Sequence, residues 1–505
     1  MQKNKFIQIN AKMKTNLKLI VAVLFSSAIL LSSCKKDEVI PDAPSVTAPT
    51  SSTAIDEGQS VDVSFTVNVP GGYASSTVSA AGGTATITSE PSNGALNGTV
   101  VVSFTANTAG AASVTLTVRD NNSKSDNATA VLSVDAEDLV IAVTGNITAN
   151  TTWETGKTYI LESRIAVVDG VTLTIQPGVI VKGKAGSAAN ATALIIAQGA
   201  KIDAQGTASS PIIFTSIADN IVPGQIASPN LDPTLNGLWG GLIVLGKAHI
   251  SYQDDQGADQ PTTTIEGLPA NDANAVYGGN DDTDNSGIIK FVSIRHGGSN
   301  IGEGNEINGL TLGGVGSGTV IENVEIISNQ DDGIEWFGGT VNVKNAIVWN
   351  TGDDAIDADQ AWAGTLDNFV VINPGDECFE LDGPEGSYVG AGYTIKNGTA
   401  SVGSASGLID FDDNTDVSMM NIYFLNLADN TQDVEGYAGY LAAGNFTSSA
   451  FEVTLPNGVT LAEVFEGGSD AITTAVAAGA ATVGADLTQF AGWSWAAVAG
   501  ALTDL

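Results

Sequence analysis

Hydrophobic and polar residues alternate along most of this chain, and the alternation changes character part-way. Between residues 51 and 137 it comes in separate bursts: Val61-Asp62-Val63-Ser64-Phe65-Thr66-Val67, Val100-Val101-Val102-Ser103-Phe104-Thr105, Ser113-Val114-Thr115-Leu116-Thr117-Val118 and Ala130-Val131-Leu132-Ser133-Val134. Successive side chains of a strand point to opposite faces, so each burst has one apolar face. Strands at this spacing, joined by Gly- and Asn-rich turns, predict a small Ig-like β-sandwich. From residue 138 to 440 the strands follow one another closely, beginning with Val171-Thr172-Leu173-Thr174-Ile175, Gly178-Val179-Ile180-Val181, Ala193-Leu194-Ile195-Ile196 and Pro211-Ile212-Ile213-Phe214. A polar insertion, Gln253 to Gly287, interrupts them.

The second half adds a longer period. An Asn followed by a hydrophobic run recurs at Asn323, Asn345, Asn368, Asn397 and Asn421. Downstream segments alternate acids with apolar residues: Ile334-Glu335-Trp336-Phe337, Ile356-Asp357-Ala358-Asp359, Phe379-Glu380-Leu381-Asp382, Ile409-Asp410-Phe411-Asp412 and, more weakly, Val434-Glu435-Gly436-Tyr437. A period in the low twenties with strand-type alternation predicts a parallel β-helix, one coil per repeat. The Ala-rich stretch 441–505 loses the repeat and is expected to cap the solenoid, as an open end requires.

The alternation has a chemical consequence. Ile334, Ile356, Phe379, Ile409 and Val434 are expected to stack inward. Glu335, Asp357, Glu380, Asp410 and Glu435 then form an exposed outer column, with Asp359, Asp382 and Asp412 in a second one. Coils stack ~4.8 Å apart, so neighbouring carboxylates repel by roughly 0.9 kcal/mol even in water. One reading is a hydrated outer face, with Asp331, Asp332, Asp353, Asp354, Asp376 and Glu377 as ordinary corner residues bonding turn amides. The other is binding of a cation or ligand, with Ca²⁺ favoured by hard oxygen donors. A second candidate metal site is Asn280-Asp281-Asp282-Thr283-Asp284-Asn285-Ser286-Gly287, where Asn280, Asp282, Asp284 and Ser286 place oxygen side chains at alternate positions. It lacks the distal Glu and flanking helices of an EF-hand.

Charge sharpens this picture. The formal net charge is −37. Nucleic acid and anionic lipid are poor partners for such a surface. Five of the lysines lie in the first 18 residues, ahead of the apolar run Leu19-Ile20-Val21-Ala22-Val23-Leu24-Phe25 and of Leu31-Ser32-Ser33-Cys34. That order resembles a bacterial lipoprotein signal, with residues 1–33 removed and Cys34 lipidated. Residues 34–50 are rich in Pro, Ala, Ser and Thr and are expected to be a flexible tether. Lys35-Lys36-Asp37-Glu38 resembles the surface-export signal of Bacteroidetes lipoproteins. The other cysteine, Cys378, is expected to be a small residue in a coil turn.

Three strings carry a wider resemblance: Gly237-Leu238-Trp239-Gly240-Gly241-Leu242-Ile243-Val244-Leu245-Gly246, Asn305-Glu306-Ile307-Asn308-Gly309-Leu310-Thr311-Leu312-Gly313-Gly314 with its continuation Val315-Gly316-Ser317-Gly318-Thr319, and Asp331-Asp332-Gly333-Ile334-Glu335-Trp336-Phe337-Gly338-Gly339-Thr340. They resemble a Bacteroidetes-type family of secreted β-helix lipoproteins. The resemblance implies a right-handed parallel β-helix and an association with TonB-dependent receptors; it supplies no catalytic residues.

The expectation is therefore an all-β, lipid-anchored protein of the outer membrane and cell surface whose acidic face binds cations or glycans. The alternative is a Ca²⁺-dependent polysaccharide lyase or a glycoside hydrolase. Asn350-Thr351-Gly352-Asp353-Asp354 is faintly similar to the Asp pair of polygalacturonases, and paired carboxylates can act as general acid and base. Such a site also needs a basic partner, and Arg295-His296 is the only Arg-His pair. Trp362, expected in a loop, is a candidate for stacking on a sugar.

Overall fold

The computed structural model describes residues 39–505 except 51–52, 188–189, 267, 270, 300–306, 413 and 444–446. The expected signal segment and lipidation site, residues 1–33 and Cys34, and part of the second family-like string lie outside the described residues. The chain divides into two compact units, Met1–Glu137 and Asp138–Leu505.

The first unit is a β-sandwich of two four-stranded sheets. Its strands alternate as the sequence does: along Ser60–Asn68 the buried residues are Val63, Phe65 and Val67. They pack with Val102, Phe104, Leu116 and Leu132 in one apolar core. Ser45–Thr47, expected in the tether, is a strand paired with Ser60–Asn68.

The second unit is a right-handed parallel β-helix built on a 15-stranded and a 9-stranded sheet. In the early coils the long sheet uses separate short strands. Lys201–Gln205 and Ile212–Ser216 then both pair with one strand, Gly287–Arg295. From there each coil carries a single long strand that bends in the middle. The bend is the repeated Asn: Asn323, Asn345, Asn368, Asn397 and Asn421 all have φ near +60°. Asn tolerates that left-handed backbone better than other non-Gly residues, which is why the repeat is spelled with it.

The inward residues stack as the alternation predicts. Ile334 pairs with Ile356, Ile356 with Phe379, Phe379 with Ile409, and Ile409 with Val434. Cys378 and Trp362 belong to this core rather than to a turn and an exposed loop. Trp362 is stacked on Trp336 at 4.4 Å between centroids, and its indole N–H donates to the Val341 carbonyl. That burial removes it as a sugar platform.

The C-terminal stretch is not a simple end cap. Thr447–Val453 and Thr473–Ala475 continue the long sheet, so coils run past residue 440. The chain then turns back along the outside of that sheet. There Phe490, Trp493 and Trp495 pack on Ile327, Ile347, Trp349, Val370 and Ile372. A buried Glu325 ties the tail down by accepting the backbone N–H groups of Trp495 (3.1 Å) and Ala496 (2.8 Å).

Candidate functional site

The acidic column lies on one face and in register. Glu335 pairs with Asp357, Asp357 with Glu380, Glu380 with Asp410, and Asp410 with Glu435. The same column continues toward the N-terminus through Thr311, Ile243, Ile195 and Ala166. An outward-facing row therefore begins apolar and becomes acidic. Asp359 follows the second column, next to Phe337.

The expectation of an exposed column fails at its N-terminal end. Glu335 is only 6% exposed and Asp357 9%, whereas Glu380 and Asp410 are half-buried and Glu435 and Asp412 open to solvent. The cause is the insertion, which leaves the coil after Leu245 and folds back as a roof. Its Ile250, Ile265, Leu268, Ala275 and Tyr277 pack on Ala166, Ile195, Ile243, Leu245 and Phe337. Gly313 permits a close approach: a Cβ there would stand 2.9 Å from the Tyr277 ring. Tyr277 reaches across the second column to donate to Gln360 Oε1 at 3.0 Å.

Under the roof, carboxylates converge. Oxygens of Asp332, Glu335 and Asp357 lie within 4.8 Å of one another, and all three residues are buried. Asp332 also belongs to a second group with the half-buried Asp331 and Asp353, which leads outward. Asn308, fully buried, donates its amide to Glu335. Asp357 Oδ1 and Asn308 Oδ1 are buried with no hydrogen-bond donor. Asp332 and Asp354, expected as corner residues (Asp354 also as half of the alternative acid pair), do bond turn amides. Asp332 Oδ1 accepts Asp354 N at 3.0 Å, and Asp354 Oδ1 accepts Glu377 N at 2.6 Å. Asp332 also joins the converging group, and Asp354 is hydrogen-bonded to Glu380.

The electrostatics follow from burial and like charge. Burial first, then the neighbouring carboxylates, hold Asp332, Glu335, Asp357 and Asp359 well above the usual carboxylate range. Asp354 is pushed up to about 11 by burial and by its hydrogen bond to Glu380, and Glu377 to about 7. Among the described residues no ion pair involves Asp332, Glu335 or Asp357. A site of this kind holds protons or a cation. Oxygens sharing one Ca²⁺ at about 2.4 Å stand no more than about 4.8 Å apart, so the donor set fits such an ion.

The other sequence candidates are not brought together. In the Asn280–Gly287 loop, Asp282 Oδ1 accepts both the backbone N–H and ring Nδ1 of His249, at 3.0 and 2.9 Å. Asp284 takes the Ser286 hydroxyl at 3.2 Å. The oxygens expected to ligate, those of Asn280, Asp282, Asp284 and Ser286, thus include two carboxylates and a hydroxyl used locally. Among the described residues neither carboxylate joins a converging group of three.

The basic residues of the catalytic alternative are not available to its acid pair. Arg295 and His296 are fully buried. Arg295 lies 3.8 Å from Glu325 and stacks 4.9 Å from the Trp495 ring centre, beneath the tail, and its Nε donates to Ser293. His296 takes up a left-handed corner, with Nδ1 on the Leu235 carbonyl. Neither is open to a substrate at Asp353 and Asp354. Asp354 is hydrogen-bonded directly to Glu380.

A family model described as "Pectate-lyase like beta helix domain" matches residues 145–496, and the chain belongs to that family. No curated protein matches the chain. Among solved structures, the family 28 exopolygalacturonase of Yersinia enterocolitica is 11% identical, with 83% of this chain and 88% of that one covered and a TM-score of 0.17. The titin Z1Z2 domains in complex with telethonin are 18% identical over 22% of this chain and 60% of that one, with a TM-score of 0.15. Superpositions this loose add nothing to what the strand topology already shows.

Proposed function

We propose that this protein is a lipid-anchored, cell-surface carbohydrate-binding β-helix whose acidic column holds a divalent cation, Ca²⁺ by its chemistry. The observation that carries the cation is the convergence of Asp332, Glu335 and Asp357, with Asp357 Oδ1 lacking any donor. At an effective dielectric near 20, each pair of charges 4.8 Å apart repels by about 3.5 kcal/mol, so the ionised trio needs a counter-ion. The all-oxygen donor set, with a neutral amide oxygen at Asn308, favours a hard cation over zinc or copper. Asp331 and Asp353 supply a route in from solvent. The carbohydrate half rests on membership of a pectate-lyase-like family, and the C-terminal end of the two columns, where Asp412 and Glu435 are exposed and Asp410 half-buried, is where a ligand reaches it.

The anchor reading rests on the order of basic residues, apolar run and Leu31-Ser32-Ser33-Cys34. Among the described residues no helix is long and apolar enough to cross a membrane. A TonB-dependent receptor remains the proposed partner, on family resemblance alone. Cys34→Ser is expected to release the protein from the outer membrane, and protease added to intact cells to cut the wild type; shielding in intact cells would refute surface display.

The cation is tested by titrating chelator-stripped protein with Ca²⁺ in a calorimeter. One site is expected, abolished by Asp357→Asn and retained in Asp412→Asn. Absence of binding, or binding indifferent to Asp357, would refute the site.

A further inference from the structure

A second site lies on the far edge of the roof. A cavity of about 210 Å³ opens between the insertion and the turn that carries Gly386, Ser387 and Tyr388. The two walls come from distant parts of the chain and are pinned together. Gly386 N donates to Ser251 Oγ at 2.9 Å, and Ser387 N donates to Asp259 Oδ1 at 3.1 Å. The Ser387 hydroxyl also donates to Asp259. The His249 and Tyr388 rings stack in parallel, 4.6 Å apart and 13° from coplanar. Asp282 accepts at Nδ1 of His249, so the tautomer with Nδ1 protonated leaves Nε2 as the free acceptor. Tyr252 and Pro261 supply apolar surface, and Gln260 a polar amide.

We propose that this cavity is a subsite for one neutral pyranose ring, a proposal that rests on the carbohydrate reading above. The cavity is smaller than the ~300–1,000 Å³ pockets that take a whole drug-sized ligand, so it holds one ring of a chain that leaves through the mouth. Flat aromatic and proline surface meets the C–H face of a sugar, while Gln260 Oε1 and His249 Nε2 accept from its hydroxyls. Charge selects against other sugars. Among the described residues no Lys or Arg lines the cavity, and acids beside it include Asp259 and Asp282, so a uronate is repelled. An ammonium group gains little. Asp259 already takes Ser387 and Gln253, whose hydrogen bonds hold its carboxyl below the usual range, and Asp282 already takes His249.

The test is calorimetry and saturation-transfer NMR on the mature chain. The probes are neutral gluco-, galacto-, manno- and xylo-oligosaccharides, with oligogalacturonate and chitosan oligomers as charged comparators. At least one neutral series is expected to bind. Tyr388→Ala should weaken it at least tenfold, while Tyr388→Phe, which keeps the ring, stays within threefold; thermal melts confirm that both variants fold. His249→Gln should fall between them. The proposal is overturned if only a charged oligomer binds, or if binding is indifferent to Tyr388→Ala. Sugar binding that survives Tyr388→Ala but is lost with Asp357→Asn would remove this subsite and leave the ladder reading standing. Ca²⁺ binding without any sugar binding would remove the subsite together with the carbohydrate reading.

Discussion

Asn323, Asn345 and Asn368 belong to the same run of coils as Glu335, Asp357 and Glu380, and the two columns meet the demands of stacking in different ways. An amide is both donor and acceptor, so the asparagine column satisfies itself. Asn345 Nδ2 reaches Asn323 Oδ1 at 3.4 Å, and Asn368 Nδ2 reaches Asn345 Oδ1 at 2.8 Å. The C-terminal tail completes it: Asn323 donates to the Gln489 carbonyl, and Asp486 N donates to Asn368 Oδ1. Where the chain inserts a longer turn, Asn397 donates to Asp367 Oδ1 and the column restarts with Asn421 on Asn397. An ionised carboxylate only accepts. Stacked and roofed over, Glu335 and Asp357 are left with repulsion and an orphaned oxygen. A ladder that closes on itself is structural; one that cannot close is where we propose a cation.

The largest effect is expected on the asparagine side, where the tail is latched. Glu325→Ala leaves Arg295 buried without its partner, and removal of one member of such a pair costs about 3–5 kcal/mol. Urea melts measure the loss, and limited proteolysis should release the tail from about residue 476 onward. A loss below about 1 kcal/mol would mean the latch is not held by charge.

Next is a direct exchange of one chemistry for the other. Asn345→Asp keeps the acceptor for Asn368 but replaces a donor with an acceptor opposite Asn323 Oδ1. It is expected to cost about 1–3 kcal/mol, the price of a buried polar group without its partner. Unchanged stability would show that the ladder bonds contribute nothing beyond the left-handed bend.

The smallest effect is in pH, with chelator present. The carboxyls under the roof are raised in the folded state, so the folded chain binds more protons than the unfolded one. Stability is then fully present below the unfolded carboxylate pKa and is lost as pH rises toward the folded values. Glu377, raised from 4.5 to about 7, places the most accessible part of that window. Its half-burial discounts the size. Denaturant midpoints should fall between about pH 5 and pH 8 in chelator and flatten in Ca²⁺; a midpoint that rises over this range would contradict the shifts.

Much of this was legible in the sequence. Strand alternation and the Asn period gave the solenoid, and the register of Glu335, Asp357, Glu380 and Asp410 followed from side chains two apart sharing a face. Burial of the column was not legible, because it depends on where a distant insertion lands. A signal existed nonetheless: Ile250, Ile265, Leu268 and Tyr277 are apolar residues in an otherwise polar segment, and Ile195 and Ile243 face outward in the same column as Glu335. Asp332 was legible only as a corner residue, and Asp354 as a corner residue or half of an acid pair; one oxygen of each does bond a turn amide. The tail looked like an end cap because its Trp493 and Trp495 carry no repeat; they cover Trp349 and Ile372 on the side of the sheet instead. Arg295 and His296 looked like chemistry because both types are rare here, and their burial under that tail depends on contacts far apart in sequence.

The most direct test compares thermal melts of the wild type and Asp357→Asn, each in Ca²⁺ and in chelator. At a hundred times the dissociation constant one site should add about 2.7 kcal/mol to the wild type. Asp357→Asn should gain nothing from Ca²⁺ and should be at least as stable as the wild type in chelator, because one buried negative charge has gone. Identical wild-type melts in both media, or an Asp357→Asn that is equally destabilised in both, would contradict the cation site.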